Sequence, residues 1–186
     1  MQYIKGLDNY HNDKPTAITI GKFDGLHRGH ELLIEKVIEY GKMKEMDTVV
    51  LAFDTSTLSQ SKQILTSEER KNRLDGRVDY LVECPLNKSI LHMEAEDFIK
   101  DILVEKFHVK CIVVGEDFSF GYQRKGTSQL LKEMEKKYNY QVEIVKKICY
   151  NGREISSSYI REILEENDYE LAEKLLGYNY KEMRDL

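Results

Sequence analysis

Gly21–His30 reads GKFDGLHRGH and stands directly behind the apolar run Thr16–Ile20, TAITI. In open α/β sheets ligands gather at such a place, where the carboxyl end of a strand turns into a helix. The glycines let the backbone turn tightly and approach a ligand closely, and the first N–H groups of the following helix offer partial positive charge to an anion. His27 and His30 are spaced H-x-x-H, so a helix that begins there brings both imidazoles to one ligand. Two imidazoles at a helix N-terminus suit a phosphorus centre, because they donate hydrogen bonds to oxygens whose charge grows in the transition state. The rival readings are surface decoration, capping or zinc; zinc lacks a third ligand at suitable spacing. The string is also not G-x-G-x-x-G, which disfavours a dinucleotide oxidoreductase.

Outward from this turn, short apolar runs alternate with amphipathic ones, the pattern of a parallel sheet covered by helices. Strands are expected at Thr16–Ile20, Thr48–Phe53, Val78–Val82, Cys111–Val114 and Gln141–Val145. Helices are expected over 29–44, with Leu32, Leu33, Val37 and Tyr40 at helical spacing, from Thr66 or Ser67 as cap with Glu68 and Glu69 in the first turn, from near Glu94, and over 128–137. Asn151-Gly152 marks a hairpin turn between Lys147–Tyr150 and Arg153–Ile155, and the last third is helical, 157–166 and 169–176, stopped by Gly177. The expected architecture is one Rossmann-like α/β domain with a five-stranded parallel sheet and a short helical C-terminal tail.

The bulk properties bound the function. The chain has 186 residues and a formal net charge of −5, which argues against duplex nucleic acid as partner, since phosphate backbones call for a basic surface. Cys84, Cys111 and Cys149 are widely separated and odd in number, so neither a zinc ribbon nor a disulfide framework is indicated; Cys111, in an apolar run, reads as a buried small hydrophobe. No apolar stretch has membrane-spanning length and the N-terminus lacks the apolar core of a signal peptide, so a cytoplasmic location with no membrane partner is expected. Oligomeric state is not legible.

Two distant segments join the first turn. VVGEDFSFG (Val113–Gly121) is a glycine-bounded loop at a strand's carboxyl edge; there Phe118 and Phe120 are either core residues or one of them stacks on a flat ring, and Asp117 either faces a metal or ribose or forms a turn. ISSSYIRE (Ile155–Glu162) opens a helix, where Ser156 or Ser157 serves as a cap and Arg161 stands one turn in, able to reach back toward an anion.

The first turn resembles the H-x-G-H signature of the nucleotidyltransferase superfamily, here His27-Arg28-Gly29-His30. More narrowly, G-x-F-D-G-x-H-x-G-H resembles the FMN adenylyltransferase module of bacterial-type FAD synthetases. The second and third segments resemble that family's G-E-D-F-x-F-G and I-S-S-T-x-I-R motifs, and the likeness runs from about Ala17 to Tyr180. It implies transfer of AMP from ATP to FMN, giving FAD and pyrophosphate, with Mg²⁺ assisting. His27 and His30 would stabilise charge at the α-phosphate, and Arg161 with Ser157 and Ser158 would hold the departing pyrophosphate. Gly21, Phe23 and Gly25 would let the backbone close on the nucleotide, Lys22 would add charge, and Phe120 would face the flavin. Asp54 and Asp117 would stand near the metal or the substrate phosphates; no protein ligand set for a metal is assigned.

Thr55-Ser56-Thr57 departs from the family's Pro-His-Pro, Gly126-Thr127 from its usual Gly-Asp, and Ser158 replaces its threonine. The family's riboflavin kinase domain has no counterpart in this sequence, so no kinase activity is expected. Two other readings stand beside this one: a related transferase with another phosphate-bearing acceptor, and a flavin- or nucleotide-binding protein without turnover.

Overall fold

The computed structural model describes residues 1–54 and 62–184; the Thr55-Ser56-Thr57 departure lies outside them. Six parallel strands form the central sheet: β1 (Gln2–Lys5), β2 (Thr16–Gly21), β3 (Asp47–Asp54), β4 (Tyr80–Pro85), β5 (Val109–Gly115) and β6 (Gln141–Val145), in the order β1-β4-β3-β2-β5-β6. The expected parallel α/β sheet is present, with one strand more than the five expected. The addition, β1, sits at the edge and pairs only with β4, Tyr3 opposite Leu81. An edge strand of four residues with half-exposed side chains leaves no long apolar run to read.

The inner strands are buried on both faces, as a sheet covered on both sides requires. Ile18, Ile20, Val49, Leu51, Ile112 and Val114 face one layer, which contains Phe98, Ile99, Leu103 and Leu131. Ala17, Val50, Ala52, Cys111 and Val113 face the other, against Leu33, Ile34 and Val37 of α1 (Arg28–Lys44) and Leu74 of α2 (Ser67–Leu74). Cys111 is 1% exposed, and burial pushes its thiol up to about 12, so it behaves as a small hydrophobe. Gly41 of α1 is required by this packing, since a Cβ there would stand 2.4 Å from the Thr48 methyl.

Of the two candidate caps for α2 it is Thr66 that serves, in a reciprocal capping box with Glu69. The helix expected near Glu94 starts at Ala95 and is π-wound over Phe98–Lys106, with Phe107 N–H bonding to Ile102 C=O at 3.0 Å. The helix expected over 128–137 is divided at Met134 into α3 (Ser128–Glu133) and a short turn, Glu135–Tyr138. The hairpin is shorter than expected, Cys149–Tyr150 against Arg153–Glu154, with Asn151 and Gly152 both at positive φ.

The helical tail, α4 (Ser157–Glu165) and α5 (Tyr169–Leu176), carries its own apolar cluster of Ile160, Ile163, Ala172, Leu175 and Leu176 with Ile64. It is tied to the β2–α1 turn by Tyr178, whose hydroxyl donates to Gly25 C=O at 2.8 Å. Among the described residues no helix is long and apolar enough to cross a membrane.

Candidate active site

β2 lies between β3, reached by the next connection, and β5, reached only after the chain has wound out to β4. The direction of winding therefore reverses between β2 and β5, and in such sheets the crevice beyond the strand ends at the reversal is the binding place. A cleft of about 340 Å³ opens there. Its lining comes from the ends of several strands and the start of α4: Gly21, Lys22, Phe23, His27 and His30, then Asp117 and Phe118, then Lys146 and Lys147, then Ser156 and Ser157.

The turn that forms its floor is strained. Phe23 and Leu26 hold positive φ (49° and 41°) with both side chains fully buried, and Gly25 sits at +89°. Strain of this kind persists where surrounding structure over-determines it, and it gathers at ligand sites. α1 begins at Arg28, with His27 as its N-cap and no side chain capping it. Its first N–H groups thus lack intrahelical partners at the cleft.

The rings of His27 and His30 stack with centroids 3.8 Å apart and 19° between planes, and the Phe23 ring lies 5.0 Å from His30. Burial pushes the His27 imidazole down to about 4. His30 also lies well below its ordinary value, through burial first and then the nearby His27 and Arg70. Both are neutral at pH 7 in the free protein. Their Nδ1 atoms are buried without a hydrogen-bond partner among the described residues. Among the described lining residues the charged side chains are Lys22, Lys146, Lys147 and Asp117, with Lys147 paired both to Asp117 and to Glu154 outside the lining; the surplus left by Lys22 and Lys146 favours an anionic ligand.

The other expected site residues are divided. Ser157 lines the cleft and donates its hydroxyl to Asp24 C=O at 2.6 Å. Ser158 is exposed and accepts from Arg161 Nη2 at 3.3 Å. Arg161 lies outside the cleft lining, in an ion pair with Asp24 at 2.7 Å, and borders a separate cavity with Tyr169 and Tyr180. Gly25 is outside the cleft lining, its carbonyl accepting from the Tyr178 hydroxyl, and Asp54 ends β3 outside the lining as well. Asp117 lines it, paired with Lys147 at 3.1 Å. Phe120, expected to face the flavin, is instead a core residue: it is 5% exposed, packed against Phe98 and over Gly126. The two-residue pairing of Ser119–Phe120 with Gly126–Thr127 turns its ring inward. Phe118, stacked on it at 5.4 Å, lines the cleft together with Phe23 and Phe53.

Sequence reasoning missed Asp24, Lys146 and Lys147. The lysines directly follow β6 at its carboxyl end, so the rule that singled out Gly21 also covers them. An acid within a turn otherwise shaped for anions signals a cation brought in from elsewhere, which is Arg161.

A profile of the FAD synthetase family matches residues 9–159. The bifunctional riboflavin kinase/FMN adenylyltransferase of Buchnera aphidicola subsp. Schizaphis graminum is 35% identical, covering 95% of this chain and 60% of the relative. The protein of the same description from Escherichia coli K12 is 31% identical, covering 97% and 60%. The chain therefore spans about three-fifths of the length of these relatives. A solved structure described as a macrolide-efflux protein from Streptococcus pneumoniae shares the fold, with a TM-score of 0.83 at 25% identity over 96% of this chain and 62% of that one. With the profile matched over most of its length, the chain belongs to the FAD synthetase family.

Proposed function

We propose that this chain transfers the adenylyl group of ATP to FMN, giving FAD and pyrophosphate. The observation that carries the reading is the stacked His27–His30 pair, at a helix N-terminus, in a lysine-lined cleft at the sheet's switch point. In the reaction a phosphate oxygen of FMN forms a bond to the α-phosphorus of ATP. The bond from that phosphorus to the β-phosphate bridging oxygen breaks, and pyrophosphate leaves in line. An FMN phosphate is already ionised at pH 7, so positioning and electrostatic stabilisation are the work required of the protein.

His27 and His30, their Nδ1 atoms sealed off, would meet the α-phosphate through Nε2. Each imidazole is neutral in the free protein, and a neighbouring phosphate favours its charged form. Gly21, Lys22 and Phe23 shape the wall beside them. Ser157, Ser158 and Arg161 would take the pyrophosphate end, and Lys146 and Lys147 add charge opposite. Phe118, rather than Phe120, offers a ring to the flavin. Among the described residues no group of three His, Cys, Asp or Glu side chains could hold a metal. The fitting source of Mg²⁺ is then the nucleotide itself, since this ion is commonly held by substrate phosphates with few protein ligands.

The test is to incubate the protein with ATP, Mg²⁺ and either FMN or riboflavin, and to separate the flavins. FAD contains two phosphates and AMP supplies one, so the acceptor must bring the other; FAD from FMN alone is expected. His30→Ala should lower turnover by about 10²–10³, the usual cost of one transition-state donor, with the fold retained. No FAD from folded wild-type protein, or an unchanged rate in the variant, would overturn the assignment.

A further inference from the structure

Asp24 lies inside the GKFDGLHRGH turn, yet the reaction above gives it no task. Its Oδ1 accepts from the backbone N–H groups of Ile64 (2.9 Å) and Leu65 (3.4 Å). Its Oδ2 accepts from Arg161 Nη1 at 2.7 Å, and its carbonyl accepts from Ser157 Oγ at 2.6 Å. One residue thus joins the catalytic turn, the approach to α2 and the first turn of α4, which are distant in sequence.

We propose that Asp24 is a positioning residue that aims the Arg161 guanidinium, and with it the start of α4, at the phosphates held over the His27–His30 pair. This rests on the role given to Arg161 above.

Three features favour positioning over other uses of a carboxylate. Its oxygens already take three hydrogen bonds, two of them from backbone groups that have no reason to leave, so little capacity remains for a metal or a proton. A guanidinium has five N–H donors in a planar fork; here one is spent on Asp24 and one on Ser158 Oγ. The remainder are left for phosphate oxygens, so the pair orients Arg161 without consuming it. The side chains are only 25% and 17% exposed for Arg161 and Asp24, so the pair is largely withdrawn from water and holds the guanidinium more firmly than a surface pair would. What the pair supplies is direction. Arg161 also borders the cavity beside Glu165, Tyr169 and Tyr180, and without Asp24 its flexible stem is free to turn there.

The test is a double-mutant cycle on Asp24→Asn and Arg161→Ala, read in kcat/KM for ATP and in the Kd of Mg²⁺–ATP, which needs no acceptor. Asparagine keeps the Oδ1 acceptor for Ile64 and Leu65 and removes the charge facing Arg161. Asp24→Asn should weaken both quantities about 10-fold or more on the wild-type background and by less than about 2-fold on the Arg161→Ala background, because residues acting through one another are not additive. The same factor on both backgrounds, no effect, or tighter ATP binding in Asp24→Asn would each overturn the inference. Wild-type protein that binds ATP but makes no FAD would instead sink the proposed reaction, and the Kd cycle would still judge Asp24. If Asp24→Asn does not fold, Arg161→Lys reads the same geometry from the other side. An ammonium keeps the charge without the planar fork; a loss of about 10-fold is expected, and wild-type kinetics would overturn the proposal.

Discussion

At the scale of single residues, the histidines separate what a motif announces from what burial does to it. The spacing of His27 and His30 marks them as partners for an anion, and the structure adds that His27 is only 6% exposed, its imidazole pushed down to about 4 by desolvation. An unfolded histidine titrates near 6.5. Above that value both states are neutral and the full stability is present. As pH falls from about 6.5 toward 4 the unfolded chain takes up a proton that the folded state refuses, so stability is lost across that window, by up to about 3 kcal/mol. Urea unfolding at steps between pH 7 and 4 should show this limb in the wild type and a flatter one in His27→Gln. An identical slope in both would assign the acid sensitivity to other groups. Phe118 and Phe120 teach the complementary lesson. Two aromatics two residues apart are equal candidates for core and ligand, and only the pairing of Ser119–Phe120 with Gly126–Thr127 decides which ring turns inward.

The β2–α1 turn shows how an element is held from outside. Gly25 has φ +89°, and a Cβ there would stand 3.1 Å from the Ile64 side chain, while its carbonyl takes the Tyr178 hydroxyl. Gly25→Ala should therefore cost about 1–3 kcal/mol, combining backbone strain with a displaced core side chain. Gly152 has a similar φ of +79° with nothing within 4 Å, so Gly152→Ala should cost only the backbone part, about 1 kcal/mol. Chemical denaturation of the two variants checks the difference; equal costs would mean that Ile64 yields freely. Capping and turn chemistry were legible here, in Thr66 with Glu69 and in Asn151-Gly152, because each depends on residues three or fewer positions apart. The π-winding over Phe98–Lys106 was not, since its apolar residues also satisfy an ordinary helical period.

For the whole molecule, the switch point gathers positive charge on a chain that is negative overall. The formal net charge is −5, yet the cleft gathers Lys22, Lys146 and Lys147 from two different loops around one carboxylate. The cleft also joins the sheet to the helical tail through Ser157. A triphosphate bound there should stabilise the chain as a unit. At a hundredfold excess over its Kd, Mg²⁺–ATP should add about 2.7 kcal/mol and raise Tm by roughly 5–10 °C. At the same nucleotide concentration Arg161→Ala should show a smaller rise. An equal rise in both proteins would remove Arg161 from the phosphate site.

Local order in the chain was enough to establish the parallel α/β sheet, its five longer strands, the main helices and the tight turn at Gly21–His30. Each of these is written in apolar periodicity, caps or glycines within a few residues of one another. The edge strand Gln2–Lys5, the inward Phe120, the lysines across the cleft and the Asp24–Arg161 pair were decided by tertiary structure alone. They depend on partners brought together by folding, Arg161 from 137 residues away in the case of Asp24, and a pairing of that range leaves no local pattern because either member alone is an ordinary surface charge.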